Sequence, residues 1–188
     1  MIHEVIPIIA DELNDFLNSR FGTAEEPVII SSILNQDGSM AILDDNKVIV
    51  SLINIERDGT NQLARSGGDL PVNINLYVLF ASYFNNYGEA LKFLSGVIGF
   101  FQANPNFMIE GNMIRVELYN PDFKEIGNLW SAIGAKYLPS VVYKFRTISI
   151  DEGNISDDIP AVASHLINER DDLGLDTMGL DIGTNDKT

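Results

Sequence analysis

Side chains able to do chemistry are few in this 188-residue sequence. There is no cysteine, which excludes disulfides, thiolate metal sites and thiol nucleophiles. The two histidines, His3 and His165, stand near opposite ends. That leaves almost no material for a multi-histidine metal site or a Ser-His-Asp triad. Carboxylates do occur in pairs, at Asp44-Asp45, Asp157-Asp158 and Asp171-Asp172. Sequence neighbours point apart on a strand and lie about 100° apart on a helix, so adjacency builds no two-metal site. These pairs read as solvated turn acids. The run Asp151-Glu152-Gly153-Asn154-Ile155-Ser156-Asp157-Asp158 is acidic but lacks the Asp-x-Asp-x-Asp-Gly order of a calcium loop. Ser66-Gly67-Gly68 has no Gly-Lys-Ser/Thr after it, so it is no phosphate loop. His3 beside Glu4 reads as a locally bonded or solvated side chain. No catalytic residue, metal ligand or cofactor site is expected.

Charge narrows the partners. The chain has 27 acidic and 12 basic residues, a net charge of −15. That argues against a phosphate backbone and against an anionic membrane surface. Bases are scarce enough that Arg57, Arg65, Lys144 and Arg146 stand out; any role for them is an ion pair to a partner protein. No apolar run reaches membrane-spanning length. The N-terminus has no basic region followed by a small-residue cleavage site, so no signal peptide is expected. Assembly in the cytoplasm is the default expectation. Residues 1–150 carry 17 acids and 10 bases, and residues 151–188 carry 10 acids and 2 bases. The boundary is therefore set near Asp151: one domain over 1–150, then an acidic tail over 151–188. Within the tail, Ile159, Val162, Ala163, Leu166 and Ile167 after Pro160 form one short apolar stripe, a candidate docking helix.

The domain's elements follow from periodicity. Ile2, Val5, Ile6, Ile9, Leu13, Phe16 and Leu17 recur at helical spacing, and Gly22 is a natural stop. Strands are expected over Pro27–Leu34 and Lys47–Glu56. The second is apolar on both faces, as a central strand is. Residues 57–70 form a polar loop of 14 residues, long enough to be functional or mobile. Val72, Ile74, Leu76, Val78 and Phe80 alternate as a strand does. Asn86 with Glu89, and Asp122 with Glu125, match capping boxes. The first opens a helix ending at Asn104-Pro105. The second opens one lined by Phe123, Ile126, Leu129, Trp130 and Ile133, with Trp130 assigned to the core. Met113–Tyr119 and Ser140–Ile150 alternate as strands, with a bulge expected near Thr147. The order α-β-β-β-α-β-α-β, with short turns between neighbouring strands, predicts an α+β fold. Its expected architecture is two-layer, a mainly antiparallel sheet covered by helices.

Three stretches together resemble one family. They are MIHEVIPIIADELNDFL at the start, PVNINLYVLFASYFNNYGEALKFLSGVIGFFQANPNF in the middle, and LWSAIGAKYLPSVVYKFRTISIDEG near the end. In the same order they resemble the terminator, or cap, protein of phage-tail-like extracellular contractile injection systems, over about residues 1–160. The resemblance implies a structural, non-enzymatic protein with a tail-terminator-like fold. It implies a homohexameric ring on the distal end of the inner tube, ending tube polymerisation and holding the last sheath layer. The implied partners are the chain itself, the inner tube protein and the sheath protein. No nucleic acid and no membrane is implied. The implied location is the assembling, then released, particle. The loop at 57–70 and the tail after about 160 lie outside the resemblance. Arg57, Arg65, Lys144, Arg146, Ile159, Val162 and Leu166 are the candidate interface residues.

Two other classes remain as rivals. A metal-dependent hydrolase built on the aspartate pairs predicts stabilisation by metal. An adaptor binding another protein or a cargo predicts a free monomer or dimer. The terminator predicts a ring.

Overall fold

The computed structural model describes residues 2–23, 25–42, 44–59 and 72–150, all within one compact unit, Met1–Ile155. Three helices, α1 (Ile2–Phe21), α2 (Tyr87–Ala103) and α3 (Phe123–Ile133), accompany six strands. The strands are β1 (Val28–Ile30), β2 (Lys47–Arg57), β3 (Val72–Tyr83), β4 (Asn106–Ile109), β5 (Asn112–Tyr119) and β6 (Ser140–Ile150). They form one mixed sheet in the order β1-β2-β3-β6-β5-β4. The fold is α+β, as the sequence predicts.

The main core lies where α1 and α2 cover one face of the sheet. Val5, Ile6, Ile9, Leu13 and Leu17 of α1 and Phe93, Val97, Phe100 and Phe101 of α2 meet Val48, Val50, Leu76, Val78, Phe80, Tyr143 and Phe145. The strand residues in that set alternate along their chains, because successive side chains of a strand point to opposite faces. Phe101 is central: its ring lies 5.1 Å from Phe80 and 4.3 Å from Tyr143. Burial pushes the Tyr143 phenol pKa up to about 12. The helices approach closely at Gly96, where an added Cβ would come within 2.7 Å of Leu17 and 2.9 Å of Phe21. A second, smaller cluster sits on the opposite face. There Trp130 of α3 packs with Ile33, Ile42, Ile49, Leu79, Ala81 and Val142, so the core assignment of Trp130 holds.

Both helix starts follow their sequence signals. The Asn86 side chain accepts from the Glu89 N–H. Asp122 and Glu125 form a reciprocal capping box, and Gly134 closes α3 in the left-handed region. The bulge expected near Thr147 is present: from Ile74 to Leu76 the partner on β6 moves from Ile148 to Phe145, one residue more.

Four expectations are corrected. The first β-run is three residues, not Pro27–Leu34, and it pairs with β2 in parallel. Its connection to β2 holds a small turn bridged at Leu34 and Met40, which lets the chain return to the same end of the sheet. Second, β2 is an interior strand, between β1 and β3, only along its first half. It is buried on both faces only from Lys47 to Val50, and its far half has no β1 beside it. A bulge between Leu52 and Asn54 shifts its phase, so that Ile55 stands opposite Leu76. Third, a strand was missed. Asn106–Ile109 forms a hairpin with β5 through Glu110-Gly111, both at positive φ, which is two-residue turn geometry. Fourth, Phe123 is not on the packed stripe of α3; it is 95% exposed. The tail after Ile150 and most of the 57–70 loop lie outside the described residues.

Candidate interaction surfaces

The sequence-predicted bases divide by strand. Lys144 and Arg146 lie on the sheet face opposite α1 and α2. Lys144 stands across from Tyr77 on β3 and Glu117 on β5. Its ammonium pairs with Glu56 of β2 and lies 5.0 Å from the Tyr77 ring centre. Glu56 also accepts from the Tyr77 hydroxyl at 2.9 Å. The Lys144 hydrogen bond first, and that of Tyr77 second, hold the Glu56 carboxyl below its usual pKa. Burial alone would pull the Lys144 pKa down; its Glu56 and Tyr77 partners outweigh burial and raise it. Arg146 pairs with Glu117 at 2.6 Å, and Arg115 pairs with the other oxygen of Glu117 at 2.9 Å. The result is a charged ladder across β2, β3, β6 and β5, closed on itself. Arg57 is different: it is exposed at the end of β2. Arg65, Ile159, Val162 and Leu166 lie outside the described residues.

Glu56 and Glu117 were not singled out from the sequence. The signal was present: Arg115-Val116-Glu117 and Lys144-Phe145-Arg146 each put two charges on one strand face. Only the strand order showed that these faces are neighbours.

Of the aspartate pairs, only Asp44-Asp45 is described. Asp45 accepts from the Asn85 side-chain amide at 2.9 Å, tying the turn before β2 to the start of α2. His3 lies 3.5 Å from Glu4. Among the described residues no group of three or more His, Asp or Glu is placed to hold a metal ion. No described helix is long and apolar enough to cross a membrane.

Two other surface features were not anticipated. The first is a cavity of about 540 Å³ between the α1–β1 connection, the start of β2 and the start of α2. Phe84, Phe93 and Pro27 give it an apolar wall, and Glu25, Glu26, Asp45 and Glu89 add carboxylates. The Phe84 and Phe93 rings stack at 4.6 Å. Lys47, buried at its base, donates to the Glu26 carbonyl at 2.9 Å and to Glu25 at 3.3 Å. The second is a set of apolar side chains left in solvent: Ile30, Leu52 and Ile55 along the β1–β2 edge, Met108, Met113 and Leu118 along the β4–β5 edge, and Phe123 beyond it.

The sheet is open at both edges, with exposed apolar side chains along each. The chain belongs to the Pvc16 N-terminal domain family, whose model matches residues 4–164. That span coincides with the stretch that resembles the contractile-injection terminators. Two solved structures are similar. One is the sheath/tube terminator of the extracellular contractile injection system PVC in its extended state, at 21% identity and a TM-score of 0.59, covering 81% of this chain and 57% of that one. The other is the anti-feeding prophage cap, its tube-terminating cap, at 19% identity and a TM-score of 0.49, covering 77% of this chain and 55% of that one. This chain thus spans a little over half the length of each. A comparison with curated proteins finds no match.

Proposed function

We propose that this protein is a structural cap, or terminator, of a contractile injection particle. It sits on the distal end of the inner tube and the last sheath layer, stops polymerisation and anchors the sheath. The observation that carries this reading is the family match over residues 4–164. The fold shared with the PVC sheath/tube terminator supports it. The oligomer is a homohexameric ring, which would match a six-fold tube. Head-to-tail contacts close when their rotation closes and otherwise grow as filaments; a terminator must do the first and prevent the second. A net charge of −15 favours that, since like charges on an outer face oppose further stacking. The role is non-enzymatic. Assembly takes place in the cytoplasm, and the finished particle carries the cap out of the cell. Arg57 and Arg65 face a neighbouring subunit or the particle. Ile159, Val162 and Leu166 dock on sheath or on the next subunit, because a stripe that short is not a stable helix alone in water.

Electron micrographs of purified particles with this chain labelled test the reading. The expected image is a label at one end of each particle and six-fold density there. Three-fold or twelve-fold density, or label away from the end, overturns it. In the same particles, truncation at Asp158 is expected to lower cap occupancy; unchanged occupancy removes the docking role of the tail.

A further inference from the structure

We infer that, in the ring, the acidic tail of one copy docks on the β4–β5 edge of the next, on a patch formed by Met108, Met113, Arg115 and Arg146. This rests on the ring reading above and names the surface that receives the tail.

The patch is set by the hairpin and its neighbour. Met108 of β4 stands directly opposite Met113 of β5, and Arg115 of β5 directly opposite Arg146 of β6. Phe107, Ile109, Ile114, Val116 and Phe145 belong to the main core. The residues between and beside them, Met108, Met113, Arg115 and Arg146, therefore share the other face. The two methionines are 66% and 57% exposed. A cross-strand pair of unbranched thioethers is a soft apolar surface that adapts to an incoming side chain. β4 is the outermost strand, so the patch lies at the border of the sheet, where another copy can approach.

Charge marks what the patch takes. Like charges directly opposite on a sheet repel. Arg115 and Arg146 are held together because each Nε bonds one oxygen of Glu117, at 2.9 and 2.6 Å. Lys144, across from Glu117, is already matched by Glu56. Two guanidiniums thus share one carboxylate, and one positive charge is left over on a chain whose net charge is −15. Among the described residues both arginines are bonded through Nε alone. Their forked terminal nitrogens remain for a further carboxylate, the group that fork fits.

The chain carries the complement in its own tail. Residues 151–188 hold 10 acids and 2 bases. There the apolar stripe of Ile159, Val162 and Leu166 follows Asp157-Asp158 and precedes Glu169, Asp171 and Asp172, with Arg170 the one base among them. Apolar side chains on the methionines and a carboxylate on the arginine forks satisfy both halves of the patch at once. The reach suffices. β6 ends at Ile150, and the stretch from there to Ile159 spans up to about 30 Å, more than the roughly 24 Å width of a six-stranded sheet. Every copy carries one tail and one patch. Passing each tail to the next copy uses all of them in a head-to-tail contact, the type that closes a ring.

The absence of cysteine makes the test clean. Full-length chain carrying both Met113→Cys and Val162→Cys is assembled into particles and treated with a short bis-maleimide. The expected result is a ladder of linked oligomers, with no ladder from either single variant. A ladder absent from particles whose images still show the end ring overturns the tail contact and leaves the ring reading standing. A ladder without an end ring keeps the contact and sinks the ring. Neither ladder nor ring sinks both. An internally linked monomer in place of the ladder means that each tail folds back on its own domain, and overturns the proposal. Dimers formed by Met113→Cys alone mean a two-fold edge contact and overturn it as well. As a second readout, adding Arg115→Ala and Arg146→Ala to the double variant lowers the ladder yield about fivefold and barely moves the monomer's melting temperature. Unchanged yield overturns docking on this patch.

Discussion

The two faces of the sheet are built differently. On one, α1 and α2 press a continuous apolar layer onto alternating strand residues, with Phe101 among Phe80, Phe107, Tyr143 and Phe145. On the other, α3 covers only a smaller cluster around Trp130, Ile49, Leu79, Ala81 and Val142, and beside that cluster runs the charged ladder from Glu56 to Arg146. The first arrangement is dry, so its strength scales with area and fit. The second is wet, so its ion pairs are screened and give orientation more than stability.

That contrast can be broken at three strengths. The largest effect is expected from Phe101→Ala, which empties the centre of the dry face. Loss of a buried Phe costs about 3–5 kcal/mol, enough to unfold much of a marginal domain, and denaturant melts should read it directly. If Phe101→Ala costs under about 1 kcal/mol, the α1–α2 face is not the seat of stability. A smaller effect is expected at the helix crossing. In Gly96→Val the new methyls run into Leu17 and Phe21, and overpacking of that kind costs about 1–3 kcal/mol. A neutral or stabilising result would mean that those two side chains have room to give way.

The smallest effect belongs to the charged ladder, and it depends on pH. The folded-state pKa of Glu56 is depressed, chiefly by the hydrogen bond from Lys144. Its stabilisation is therefore present above the usual carboxylate pKa and fades as pH falls through the depressed value. Glu56→Gln should cost a little near neutrality and nothing in acid, and high salt should shrink the difference. Thermal melts at several pH values check this. A difference that grows in acid would have the wrong sign and would discard the pairing.

The identity of the elements was legible in the sequence. The α1 stripe, the two capping signals, the alternation of β3 and even the β6 bulge near Thr147 are local patterns, and local sterics and capping enforce them. Trp130 was legible as core for the same reason. Partnership was not. Whether Val28–Ile30 runs parallel or antiparallel to β2, and whether β2 is flanked along its whole length, depends on where a connection returns the chain. Asn106–Ile109 is too short to announce itself; it becomes a strand because β5 folds back beside it through Glu110-Gly111. The same limit applied to Phe123. Helical spacing counted it with Ile126 and Leu129, but it begins α3 past the edge of the sheet, where nothing covers it. The cavity under Phe84 and Phe93 joins residues far apart in the chain. The sequence by itself determined which segments are helix or strand, because that choice is made over a few residues. Only the tertiary structure decided which faces meet, which edges stay open and which side chains are left in water. Those depend on pairings between distant segments, and no local pattern encodes them.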